Sequence, residues 1–414
     1  MLLDAISFCL AGNYHDAWKL KLKFLRDLLG LVSRRISYVF PKPYPVTINT
    51  NSKTPRGRVL FSYLENPLRW SEDHRGFGGH TNQWESREIV RIFTDLGYQV
   101  DAINWSDNEF VPQQSYNVCF DISTNLQRLA PFLDRSAVKI LHRTTSDPYY
   151  QNRAELARVS ALETRRNANY EPKRHISFPD LEYKSMQVAD VCSLKGNDHT
   201  LRTYPQEFRH KIKLLQISGC SLPDDLKKDS DLVPRKREFL WFFGSGVVHK
   251  GLDLLLEVFS KHSEFTLNIV GKVDREPDFM NIYHHELTEL PNIRMHGPMR
   301  TDSRRFRDII KDVFCFIAPS CSEGLSPAVV TCMQIGLYPL ISCNTGITLP
   351  PDAGRYLTEC TIPEIENAII EIIRMTASDL QSEIMKSQSY TLRELSRARF
   401  REKMENFLLH TLRK

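Results

Sequence analysis

From Arg58 onward the chain alternates short apolar runs with longer amphipathic ones. The runs Val59–Leu64, Tyr98–Ile103, Asn117–Ile122, Val138–His142, Asp190–Leu194 and Ile212–Ile217 have the length and side-chain mix of strands. Between them, Gln83–Leu96 and Tyr149–Arg166 carry helical patterns. A second series begins at Phe239, with strands predicted at Phe239–Phe243, Phe265–Val270, Ile293–His296, Val313–Ala318 and Leu337–Cys343. Its helices are Gly251–Lys261, Arg304–Lys311 and Pro327–Ile335. This order predicts parallel sheets covered on both faces. The fold class is therefore α/β: two Rossmann-like, doubly wound domains whose strand carboxyl ends face one cleft, where ligands of open α/β folds bind.

Breaks in the pattern set the domain limits. The stretch SLPDDLKKDSDLVPRKRE (221–238) is polar, charged and interrupted by Pro, as an interdomain linker should be. The first domain is placed at 56–222 and the second at 236–389. Residues 1–55 form a helical N-terminal extension, with helices at Ala5–Leu10 and from His15 to about Val39, then the Pro-rich linker PKPYPVTINTNSKTPRG (41–57). The last segment, 390–414, reads as one basic helix that crosses back to the first domain.

Size and charge narrow the classes. A chain of 414 residues has room for two full cores, and a net charge of +5 gives no case for a nucleic-acid partner. The nine cysteines lack metal-binding spacing, and several lie in apolar runs, which favours a reducing, cytoplasmic setting. No apolar stretch reaches the ~18 residues of a membrane span. The amino terminus carries Asp4 and no basic leader, so no signal peptide is expected. The basic flanks Lys19–Arg35 and Arg393–Lys414 suit peripheral contact with an anionic membrane at its inner face. A helical hairpin packed on the main body is the other reading of residues 1–40.

The richest stretch runs from Phe314 to Ile347: an apolar strand, a Pro-Ser turn, the pair Glu323-Gly324, a helix opening at Ser326-Pro327 and a second strand. A carboxylate accepts sugar hydroxyls, while free N–H groups of a helix terminus face an anion. That pairing suggests a nucleotide-sugar site. Upstream, FFGSGVVHKGLDLLLEVF (242–259) places Gly244 and Gly246 in a loop and Lys250 before a helix. Lys250 would be a point charge on a phosphate, or else a surface lysine at an ordinary βα turn. FTLNIVG (265–271) and NIRMHGPM (292–299) end strands on Gly271 and Gly297.

In the first domain, RGFGGHTNQW (75–84) puts Gly78 and Gly79 ahead of a helix. A dinucleotide reading is weak because G-x-G-x-x-G is not completed, and a loop needing unusual φ angles is the plain alternative. LHRTTSDPYYQNRAE (141–155) carries His142 at a strand end, Arg143 beside it and Asp147 in the loop. The arginine-rich NRAELARVSALETRRNAN (152–169) reads as an ordinary solvated helix.

With these motifs in order, the second half resembles the donor-binding domain of family 4 glycosyltransferases, which have the two-domain GT-B fold. The pattern F-G-…-K-G-x-D-x-L-L-x-x-F … I-V-G … I-x-x-x-G … P-S-x-x-E-G … G-x-x-P-(I/L)-I-S … G carries the resemblance. It extends less strongly over residues 58–220 and does not cover 1–55. It implies a retaining enzyme that moves a sugar from a nucleotide diphosphate to an acceptor hydroxyl, with no metal and no other cofactor.

The resemblance also implies roles. Lys250 becomes the cation on the donor diphosphate, and Glu323 holds donor-sugar hydroxyls. The amides of Gly324, Leu325 and Ser326 face sugar and phosphates, and Gly244, Gly271 and Gly297 line the donor side. Gly78 and Gly79 match a loop facing donor phosphate and acceptor, and His142 or Asp147 stands near the reacting carbon. Two positions depart. The family's second glutamate, a ribose ligand, falls on Thr331, and an arginine of the first loop falls on Ser245. Each loses a charge-assisted contact of about 1–3 kcal/mol unless another residue substitutes. Both departures recur in a branch resembling surface-polysaccharide transferases. The expected partners are thus a nucleotide sugar and a glycan or lipid-linked acceptor of the cell envelope. The alternative is a non-catalytic GT-B-like protein that binds a glycan or another protein.

Overall fold

The computed structural model describes residues 44–79, 81–220, 222 and 237–413. The helices expected over residues 1–40, with their membrane-facing charges, and most of the 221–238 linker lie outside the described residues.

The first domain is built on a seven-stranded sheet: β1 (Val46–Ile48), β2 (Gly57–Tyr63), β3 (Tyr98–Asn104), β4 (Val118–Asp121), β5 (Val138–Arg143), β6 (Val191–Lys195) and β7 (Ile212–Leu215). The strand order is β1-β3-β2-β4-β5-β6-β7. β2 to β7 pair in parallel, and β1 runs antiparallel to β3 with Val46 opposite Ala102. Strand β1 corrects the reading of 41–57 as linker alone. Val46 is buried, and the Thr47 hydroxyl donates to Asp101 at 2.7 Å, which fixes the edge.

The second sheet contains β8 (Glu238–Phe242), β9 (Thr266–Val270), β10 (Ile293–Met295), β11 (Cys315–Ala318), β12 (Tyr338–Ser342) and β13 (Arg355–Leu357), ordered β10-β9-β8-β11-β12-β13. All of its pairs are parallel. Buried on both faces, these strands are nearly continuous apolar runs, as in Cys315–Ala318. The order turns back between β8 and β11. The crevice beyond their carboxyl ends is where a sheet of this kind receives a ligand.

Six helices matter for the site: α1 (Thr81–Asp95), α2 (Pro148–Arg166), α3 (Leu252–Phe259), α4 (Pro327–Ile335), α5 (Ala377–Glu394) and α6 (Arg397–Leu412). The single basic helix expected from Tyr390 is two helices, α5 and α6, separated at Leu395. Leu380 of α5 joins the core of the second domain. Phe400, Met404, Phe407 and Leu408 of α6 join the core around the first sheet, beside Ile89 and Phe93 of α1. Several cations of α6 are paired within the chain. Arg397 donates to the Phe77 carbonyl at 2.5 Å, and Arg401 bonds Asp95 at 2.6 Å and pairs with Glu88.

The chain passes between the domains after β7 and again after α5, and both passages rest on α4. The Cys220 N–H donates to Thr331 Oγ1 at 3.1 Å. A side chain on Gly219 would meet Gln334 Oε1 at 2.4 Å. The Gln334 amide nitrogen donates to the carbonyls of Thr391 and Leu395, at 3.3 and 3.1 Å. Buried and fully engaged, Thr331 and Gln334 tie α4 to both passages.

Helix α2 corrects another expectation. Three of its arginines are not a solvated face. Arg158 donates to the Pro319 carbonyl at 3.0 Å, and Arg165 bonds Asp253 and Glu257, each at 2.8 Å. Arg166 bonds Glu257 at 2.7 Å and Glu286 at 2.6 Å. These residues fasten a first-domain helix to the second domain.

Candidate functional site

The loop leaving β8 begins with Gly244 and Ser245, both exposed, then turns inward at Gly246, whose φ of 77° favours glycine. The amides of Gly246 and Val247 donate to Glu276 Oε1, at 2.7 and 3.3 Å. Glu276 is buried and also accepts the Tyr170 hydroxyl at 2.5 Å. Two loop amides are therefore held by the protein's own carboxylate. Nothing in the run KVDREPDF around Glu276 signals this role.

The loop closes at His249, Lys250 and Gly251. Gly251 has φ 73°, and a side chain there would strike the Pro319 ring and carbonyl at 2.6 Å. Glycine thus lets the β8 loop lie against the loop after β11. Lys250 is buried and forms an ion pair with Glu323 across that contact. Burial lowers the ammonium's pKa; Glu323 pulls it back up, and the Arg174 charge pushes it further down.

His249 was not singled out from the sequence, yet it shapes the same turn. Its Nε2 lies 2.6 Å from the Ser322 carbonyl, so Nε2 carries the proton and donates. Its Nδ1 is 3.8 Å from Glu155 Oε1. Burial, followed by the charges of Lys250 and Arg174, holds the imidazole pKa well below 6.5. A neutral histidine therefore fixes the residue next to Glu323.

The expected strand-end glycines form a row at the carboxyl ends of β8, β9 and β10. The Gly271 N–H donates to the Gly297 carbonyl at 3.2 Å, and the Lys272 N–H donates to the Gly244 carbonyl at 3.1 Å. A side chain on Gly271 would meet the Phe243 carbonyl at 2.6 Å.

Glu323-Gly324 enters a tight seat between the domains. A Cβ on Gly324 would lie 2.3 Å from the Thr144 carbonyl oxygen and 2.8 Å from that of Lys195. The Thr200 hydroxyl donates to the Gly324 carbonyl at 3.2 Å. Of the three amides expected to face a donor, that of Ser326 donates to the Thr345 carbonyl at 2.9 Å. Those of Gly324 and Leu325 have no hydrogen-bond partner among the described residues. The Thr331 hydroxyl is engaged by the protein's own backbone. Besides accepting from Cys220, that group donates to the Pro327 carbonyl at 2.8 Å, and the residue is fully buried.

On the first-domain side, Asp147 caps α2. One of its oxygens accepts the Tyr150 N–H at 2.9 Å, and the other accepts the Tyr183 hydroxyl at 2.6 Å. Asp followed by Pro at the first helical position is a capping signature that the sequence did carry. His142 is buried with Nδ1 2.7 Å from Ser193 Oγ, and its Nε2 has no partner among the described residues. Burial, then Lys195 and Arg143, keep its pKa well below 6.5. Arg143 is buried in an ion pair with Glu182.

Gly78 and Gly79 close a single helical turn, Gly76–Gly79. Arg300 of the second domain lies beside it, with a guanidinium nitrogen 3.3 Å from where a Gly78 side chain would begin, and donates to the Arg75 carbonyl at 2.8 Å. Behind this turn, Lys195 bonds Glu85 at 2.7 Å, both fully buried. Sequence reasoning passed over this pair because its members are 110 positions apart.

The site therefore joins a buried cation, a carboxylate and two unengaged amides at the order reversal of the second sheet. Its chemistry suits an anion bonded to a hydroxyl-rich group.

Residues 237–375 match the family model described as glycosyl transferases group 1. No curated protein sequence matches the chain. Among solved structures, sucrose-phosphate synthase from Thermosynechococcus elongatus aligns with a TM-score of 0.59 at 11% identity, over 85% of this chain and 98% of that one. Anabaena HepE in complex with UDP-glucose aligns with a TM-score of 0.55 at 11% identity, over 86% of this chain and 100% of that one. WaaG, a glycosyltransferase involved in lipopolysaccharide biosynthesis, gives 0.52 at 11% identity, over 84% and 99%. These likenesses establish a shared architecture, the two-domain GT-B fold.

Proposed function

We propose that this GT-B chain, with a second domain matching the glycosyl transferases group 1 model, transfers a sugar from a nucleoside diphosphate to an acceptor hydroxyl. The observation that carries the reading is the Lys250–Glu323 pair at the reversal between β8 and β11. When donor enters, Lys250 turns to the diphosphate and Glu323 to the hydroxyls of the sugar. The bond from the anomeric carbon to the diphosphate breaks and a bond to the acceptor oxygen forms on the same face, retaining configuration. The acceptor's proton leaves with the nucleoside diphosphate. Lys250 and the first turn of α4 stabilise the charge growing on the leaving group, so no metal is called for.

The acceptor is a glycan or lipid-linked hydroxyl entering from the first domain, in the building of a cell-envelope polysaccharide. The involvement of WaaG in lipopolysaccharide biosynthesis supports that choice. Among the described residues no helix is long and apolar enough to cross a membrane. Peripheral contact with an anionic bilayer at the cytoplasmic face would rest on residues 1–40.

A screen of donor hydrolysis over a panel of nucleotide sugars tests the proposal: one donor should be hydrolysed and Glu323→Ala should abolish it. A second reading, a non-catalytic binder of glycan or protein, is favoured by Thr331, whose hydroxyl is spent on backbone. Titration separates the two, because a binder of that kind takes up no nucleoside diphosphate at millimolar concentration.

A further inference from the structure

We propose that Arg174 of the first domain is the second cation of the diphosphate site, delivered across the cleft onto the glycine turn of the second domain. The inference rests on the donor reading of Lys250.

The segment carrying Arg174 is strapped to the buried face of α2. The amides of Lys173 and Arg174 donate to Glu155 Oε1, at 3.1 and 2.7 Å. The Gln151 side chain donates to the Arg174 carbonyl at 2.7 Å. Asn152 exchanges two bonds with Ile176, at 2.9 and 2.7 Å. Three buried polar residues on one helix, Gln151, Asn152 and Glu155, thus hold the backbone around an exposed arginine. Burying such groups is costly unless they find partners, and here Gln151, Asn152 and one carboxylate oxygen of Glu155 find them in this short segment.

The side chain crosses to the other domain. A Cβ on Gly246 would lie 2.4 Å from Arg174 Cγ and 2.9 Å from Cδ, so the arginine stem occupies the space a side chain there would need. The guanidinium makes no hydrogen bond or ion pair among the described residues. Its charge is nonetheless felt by the buried Lys250 and His249, whose basicity it lowers. Arg174 and Lys250 repel each other, and a diphosphate placed between them would be drawn to both.

The rest of the turn explains why a cation is wanted. Ser245 is exposed and uncharged, and Glu276 already occupies the amides of Gly246 and Val247. A guanidinium presents a planar fork to phosphate oxygens. Supplied from the first domain, it makes diphosphate binding depend on both domains.

The test is calorimetric titration of the full chain with inorganic pyrophosphate and with UDP, GDP and ADP. Arg174→Ala should weaken pyrophosphate and the preferred nucleoside diphosphate by about tenfold or more, and leave the matching nucleoside unaffected. Arg174→Lys should recover part of the loss, and Ser245→Arg added to Arg174→Ala should recover most of it. Because Arg174 is exposed, the thermal midpoint should stay that of the parent protein. Affinity within about twofold of the parent in Arg174→Ala overturns the inference and leaves the donor reading standing. A parent protein that binds neither pyrophosphate nor any of the diphosphates overturns the donor reading, and this inference with it.

Discussion

Lys250 and Glu323, 73 positions apart, form an ion pair that joins the loop after β8 to the loop after β11. Each satisfies the charge of the other. Glu323→Gln should therefore uncouple binding from turnover. With its ammonium released, Lys250 should bind nucleoside diphosphate at least as tightly as before. Sugar transfer should fall by about a hundredfold or more. Titration and a donor-consumption assay check the two halves, and transfer at the parent rate would remove Glu323 from the reaction.

The position of the expected ribose ligand leads to the opposite outcome. Thr331→Val should leave nucleoside-diphosphate affinity unchanged, because the hydroxyl serves Cys220 and Pro327. Leaving the Cys220 amide unpaired should cost about 1–2 kcal/mol of stability. Denaturant unfolding followed by titration measures both, and a large loss of affinity at unchanged stability would contradict the assignment.

Glu257 accepts Arg165 and Arg166 together, so it is the node of the latch between α2 and the second domain. Glu257→Gln keeps the shape and removes the charge that both guanidinium groups share. About 1–3 kcal/mol should be lost, with earlier proteolysis at domain edges. An unaltered unfolding midpoint would show that the latch is held by packing alone.

His142 and His249 are buried with their pKa values well below 6.5, mainly through desolvation. In the unfolded chain both titrate near 6.5, so below that pH the unfolded state binds more protons than the native one. Their contribution is fully present above about pH 6.5 and is lost as the pH falls toward the native values. The thermal midpoint should drop between about pH 7 and 5. His142→Phe, filling the space beside Phe120, should flatten the drop even if it lowers the midpoint overall. An equal slope in the variant would exclude His142 as a source.

Much of this architecture is readable in the sequence, because parallel strands buried on both faces leave apolar runs such as Phe239–Phe243. Strands β1 and β13 are short and are not continuous apolar runs, with Thr47 and Arg355 among their three residues, so they show no strand pattern. The Lys250 and Glu323 positions were legible because each follows a strand end and precedes a helix. Asp147 could be read two ways for a local reason: a polar residue before Pro resembles a loop acid as much as a helix cap, and it does cap α2. Glu276, Arg165 and Arg174 were hidden for a different reason. Their roles depend on partners in distant segments, and nothing in the pattern of one segment announces its neighbour in another.

Helix α4 begins just after Glu323-Gly324 and ends among the two passages of chain between the domains, with Thr331 and Gln334 tied to them. A small roll of this helix would therefore be delivered as torque to both connections at once. Turnover should then respond to changes at Gln334, while the binding of donor fragments does not.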